Sequence, residues 1–84
     1  MTSDAHEPRT EPVAIGVDVA QATLEVWVEP AGTGWTVAND GPGIAALVER
    51  VRAHAPRLVV LEATGGYEYA AVAALGLAGV PVAV

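Results

Sequence analysis

Two acids, Asp18 and Glu62, are the residues whose types and setting point to chemistry. Each closes a short apolar run: Val13-Ala14-Ile15-Gly16-Val17 leads into Asp18, and Leu58-Val59-Val60-Leu61 leads into Glu62. Carboxylates held side by side repel, and such pairs occur where a cation or a shared proton relieves the repulsion. Their hard oxygens select Mg²⁺ or Mn²⁺. Two such ions can activate a nucleophile and stabilise the leaving oxygen of a phosphodiester transfer. The competing reading is that both are ordinary strand-end acids in solvent, and spacing alone leaves the two open.

Other reactive side chains have plainer readings. His6 has no second ligand at a useful spacing. His54 falls in the last turn of an expected helix, where a positive charge is favourable. Thr64 reads as a helix cap rather than a nucleophile. There is no Cys, which excludes disulfides and thiolate metal sites.

The elements that must position the two acids follow from periodicity. Val13, Ile15, Val17 and Val19 share one face of a first strand, with Ala14, Gly16 and Asp18 on the other. After a turn over residues 20–23, Leu24, Val26 and Val28 alternate with Glu25, Trp27 and Glu29, as in a half-exposed antiparallel strand. Pro30 to Gly34 make a turn, and Trp35 to Ala38 a third strand. Trp27 and Trp35 either face each other across this hairpin or offer stacking surfaces to bases.

Asn39-Asp40-Gly41-Pro42 signals a helix start. Ile44, Leu47, Val48 and Val51 follow at helical spacing, and Pro56 prevents continuation. Leu58 to Leu61 reads as a strand covered on both faces, because it does not alternate. A second helix is expected from Tyr67 to about Ala78, capped by Thr64 or Gly65 and stopped at Gly79. Pro81 to Val84 begins another buried strand.

Three strands in a meander followed by alternating helices and strands give an α/β fold: a mixed sheet with helices on its faces. Right-handed crossovers predict the strand order 3-2-1-4-5, the ribonuclease H-like arrangement, in which the first and fourth strands are neighbours. Asp18 and Glu62 then stand at adjacent carboxyl ends about 4.8 Å apart, where open α/β sheets bind ligands.

Composition bounds the rest. The 84 residues are 52% hydrophobic, enough for one small domain with a core. The net charge is −6, there is no Lys, and Arg50, Arg52 and Arg57 are the only basic residues after the leading segment. That argues against nucleic-acid binding by this chain alone. No stretch approaches the roughly 20 apolar residues of a membrane span. Met1 to Pro12 is polar and acidic, unlike a secretion signal, and reads as a disordered tail before a domain over residues 13–84. A soluble cytoplasmic protein is the expectation.

Gly16-Val17-Asp18-Val19-Ala20-Gln21-Ala22-Thr23-Leu24-Glu25-Val26 resembles the amino-terminal signature of the DEDD transposases, the insertion-sequence family numbered one hundred and ten, related to the Piv DNA invertase. Leu61-Glu62-Ala63-Thr64-Gly65-Gly66-Tyr67-Glu68 resembles that family's second signature, and Asn39, Gly43 and Leu47 fall where it tends to have Asn, Gly and Leu. The resemblance implies part of a RuvC-like catalytic domain in which four acids bind divalent metal, Mg²⁺ or Mn²⁺, for DNA strand cleavage and transfer. Asp18 matches the first acid and Glu62 the second. The other two, and a carboxyl-terminal domain carrying a nucleophilic serine, would lie beyond Val84.

The resemblance further implies DNA, a guide RNA of the same element and further copies of the full-length protein as partners, and a place at the nucleoid. Ala20 and Gln21 depart from it, since the family often has Ser and a basic residue there. The chain is thus expected to be the front part of a transposase, inert by itself. One rival is a sugar kinase or actin-like ATPase fold, whose phosphate-binding turn carries Gly where this chain has Ala20. The other is a non-catalytic remnant domain, whose exposed final strand edge would limit solubility.

Overall fold

The computed structural model describes residues 12–63 and 65–84. The expectations for residues 1–11, including the disordered tail and His6, lie outside it, as does the cap assigned to Thr64. The elements run β1 (Ala14–Val19), β2 (Thr23–Glu29), β3 (Thr33–Ala38), α1 (Gly41–His54), β4 (Leu58–Ala63), α2 (Tyr69–Leu77) and β5 (Val82–Ala83). They form one mixed sheet in the order β3-β2-β1-β4-β5. The β1–β2 and β2–β3 pairs are antiparallel, and β1–β4 and β4–β5 are parallel. This is the α/β arrangement and strand order that the sequence predicts.

Alternation decides which side of the sheet is covered. Ile15, Val17 and Val19 of β1, Leu24, Val26 and Val28 of β2, and Val59 and Leu61 of β4 are all buried. They form one cluster with Ile44, Leu47 and Val51 of α1 and Ala71 and Leu75 of α2. Each large aliphatic side chain removed from water contributes about 1.5–3 kcal/mol before chain entropy opposes it.

Both helices therefore lie on one face, which corrects the expectation of helices on both. The crossover from β3 to β4 and that from β4 to β5 advance across the sheet in the same direction. Two right-handed crossovers moving the same way put their helices on the same side. Among the described residues nothing packs on the other face, and β4 is not covered twice: Leu58 and Val60 are each 38% exposed.

The caps follow their residue chemistry. Asp40 stands at the N-cap of α1, and its Oδ1 accepts from the Gly43 N–H at 2.8 Å. Gly43 itself is required by close approach, because a Cβ there would run into the carbonyl of Ala38 at the end of β3. Helix α1 closes at Ala55, which adopts a left-handed φ of 48°. Helix α2 ends in a Schellman turn: Val80 N–H donates to the Leu75 carbonyl and Gly79 N–H to that of Gly76, each at 3.0 Å, with Gly79 at φ 81°.

Four local expectations are corrected. Helix α2 starts at Tyr69, not Tyr67, because Gly65 and Gly66 are both left-handed, at φ 81° and 82°, and spend the preceding residues in a turn. Strand β3 starts at Thr33, because the β2 ladder continues to the Val28–Thr33 pair. Strand β5 is a short edge strand, with Val82 half-buried and Ala83 exposed.

The fourth concerns the tryptophans, which do not face each other. Trp27 pairs with Gly34 and Trp35 with Val26, so the two indoles lie on opposite faces. Trp35 packs toward α1, with the Arg50 guanidinium 3.9 Å from its ring centroid and the His54 ring stacked at 6.0 Å. Arg50 and His54 are one helical turn apart, so they form one grip on the indole. No helix among the described residues is long and apolar enough to cross a membrane.

Candidate functional site

Strands β1 and β4 pair in parallel from Ala14–Leu58 to Val19–Ala63, which sets Asp18 directly beside Glu62. Both acids share the parity of the open face, and both are exposed. Because the strands are parallel, both stand at carboxyl ends.

The β1–β2 hairpin adds a third carboxylate. Val19 pairs with Leu24, so one step back on β1 and one step forward on β2 brings Asp18 against Glu25. Thr36 of β3 is opposite Glu25 in turn. The end of the open face therefore carries a row, Thr36–Glu25–Asp18–Glu62, crossing four strands. Sequence reasoning puts Glu25 on the outward side of β2 without joining it to Asp18. The signal lies in the hairpin arithmetic, since parity and a four-residue turn suffice to pair them.

The turns beyond the two acids are tied together by one side chain. Asn39 Nδ2 donates to the Ala20 carbonyl at 2.9 Å and to the Tyr67 carbonyl at 3.1 Å. The first carbonyl belongs to the turn after Asp18, and the second to the Gly-Gly turn after Glu62. Asn39 N–H also donates to the Ala22 carbonyl at 2.9 Å, and Ala20 N–H to the Thr23 carbonyl at 2.9 Å. Asn39 thus holds the ends of β1 and β4 in their relative places. Glu68 at the N-cap of α2 makes no side-chain cap bond, and its buried Oε1 has no hydrogen-bond partner among the described residues.

Chemically, Asp18 and Glu62 offer two hard oxygen donors from adjacent strands, suited to Mg²⁺ or Mn²⁺ and to neither a soft nor an imidazole-seeking metal. Among the described residues, no three His, Cys, Asp or Glu side chains converge closely enough to hold a metal ion. Glu25 is in line with the pair but does not complete a ligand set. The donor chemistry fits a hard cation, and the set is partial. The strands of the open face carry no Lys or Arg, since Arg50 and Arg52 lie on α1 and Arg57 in the connection to β4. Phosphate has no cation to meet on these strands.

No protein-family model matches the chain, and no curated protein matches it.

Proposed function

We propose that Asp18 and Glu62 are half of a divalent-cation site in a DNA transposase or recombinase domain. The observation that carries this is their register: two acids side by side at the carboxyl ends of adjacent parallel strands in a 3-2-1-4-5 sheet. The similarity of the segments around Asp18 and Glu62 to the DEDD transposase signatures supports the same reading. Asp18 and Glu62 would hold Mg²⁺ or Mn²⁺, and the bound ion would supply nucleophile activation and charge stabilisation for phosphodiester cleavage and transfer. Asn39 positions the turns that follow both acids. In this reading DNA is the substrate, an element-encoded RNA the guide, the nucleoid the place of work, and further copies the oligomeric partners.

Two carboxylates bind a well-hydrated ion weakly, so the chain alone is proposed to be inactive on DNA. Paramagnetic broadening tests the site directly. Mn²⁺ titrated into the isotope-labelled chain is expected to broaden amide signals at residues 18–20 and 62–63 first. The double variant Asp18→Asn, Glu62→Gln should lose that selectivity. Broadening spread evenly over the exposed acids would remove the metal site. For the DNA reading, the gene beyond the Val84 codon should continue in frame to two more acids and a later serine; an in-frame continuation without them would reject it.

A further inference from the structure

The open face of the sheet divides into two zones with different chemistry. Above the acidic row, the next row across the strands reads Gly34–Trp27–Gly16–Val60–Ala83, and the one beyond it Glu29–Ala14–Leu58. Trp27, Leu58 and Val60 are each 38% exposed there, so the zone presents apolar surface. The indole of Trp27 lies against Gly16, where a Cβ would collide with its ring. Beside it a trough of about 220 Å³ runs between Ala14, Gly16, Trp27 and Val60, with Glu29 and Glu62 at its lip.

Sheets bury an apolar face against another element, and here nothing among the described residues does so. The rim identifies the occupant. Glu25, Asp18 and Glu62 border the apolar zone on one side and Glu29 stands at an opposite corner, with no basic residue on the strands of that face. A second copy stacked face to face would set carboxylates against carboxylates, so self-association is opposed. A rod with an apolar stripe and cationic margins meets both zones at once.

We propose that this face docks an amphipathic α-helix of another polypeptide, its apolar stripe seated over Trp27, Val60 and Leu58 and its Arg and Lys margins facing Glu25, Glu29 and Glu62. The docking shares Glu62 with the proposed metal site and otherwise rests on the apolar zone and Glu29 at its rim.

The probe is a synthetic helix of about 18 residues, five turns, with Leu and Ala on one side and Arg and Lys along both flanks. Titrated into the labelled 84-residue chain, it should shift the amides of residues 14, 16, 58 and 60 and the indole N–H of Trp27, saturably, and bind more weakly as salt rises. A peptide with the same stripe and Glu flanks should bind at least about tenfold more weakly. Leu58→Lys with Val60→Lys, both at exposed positions, should abolish binding while the dispersion of the core signals is retained. Glu29→Lys provides a milder second variant that should weaken binding of the basic peptide only. Equal binding of both peptides, shifts centred on α1 and α2, or sedimentation showing the free chain dimerising through the Trp27 face would each overturn the proposal.

Discussion

Among the described residues one face of the sheet is packed and the other is left uncovered, although the same strands build both. On the covered face, Val, Leu and Ile from β1, β2 and β4 interdigitate with α1 and α2, and every position is apolar. On the open face, the alternate residues of those strands are Ala14, Gly16 and Asp18; Glu25, Trp27 and Glu29; Leu58, Val60 and Glu62. Stability is carried by the first face. The second carries what a fold does not need: a row of carboxylates and an apolar zone beside it. The proposed ligand and partner sites both lie on the face that adds less to holding the chain together.

Substitutions to alanine should separate the faces. Leu47→Ala, at a fully buried position, is expected to cost about 2–5 kcal/mol in urea unfolding, through lost transfer energy and a cavity. Val60→Ala on the open face should cost less than about 1 kcal/mol. Equal losses would mean that the open face is covered in the folded chain.

Gly43→Ala should follow in size, at about 1–3 kcal/mol, because the Ala38 carbonyl is backbone and must shift to admit a methyl. Its effect lies in the seating of α1 against β3, so the signals of Asp18 and Glu62 should hardly move. A smaller and more pointed change is Asn39→Ala, which removes two side-chain hydrogen bonds worth about 0.5–1.5 kcal/mol each. Faster amide exchange confined to residues 20–23 and 65–68 would mark Asn39 as the tie between the two turns. Uniform acceleration over the core would assign it a general role instead.

On the open face the sign should reverse. Asp18→Asn removes the middle charge of three aligned carboxylates, so Tm should rise slightly in metal-free, low-salt buffer, and the gain should shrink as salt screens it. A fall in Tm would show that Asp18 has a stabilising partner in the fold. The smallest effect is expected for Ala55→Gly, which relieves a left-handed alanine at the end of α1. The gain, below about 1 kcal/mol, is the strain relieved less the extra freedom of glycine in the unfolded chain.

Much of this architecture is legible in the sequence because it is local. Period-two alternation locates β1 and β2, helical spacing locates α1, and Asp40, Pro56 and Gly79 mark helix boundaries by their own backbone chemistry. Asn39, Gly43 and Leu47, singled out by resemblance, each have a physical role in the fold. Asn39 makes a double hydrogen bond, Gly43 permits a close backbone approach, and Leu47 fills the core. The start of α2 is not legible, because two consecutive left-handed glycines lengthen the turn and nothing in the periodicity of the following Tyr and Ala residues reports that. The placement of the tryptophans is hidden for a different reason: a one-residue difference in hairpin register moves a side chain to the other face.

The sequence by itself determined the strands, their order and hence the neighbourhood of Asp18 and Glu62, since alternation, turn residues and the handedness of crossovers act over short stretches of chain. Only the tertiary structure decided that Trp35 is gripped by α1 while Trp27 is left over Gly16, and that Leu58 and Val60 lie open. Those outcomes depend on which side of the sheet both helices pack against. That choice is made by two crossovers advancing in the same direction, and no single segment encodes it.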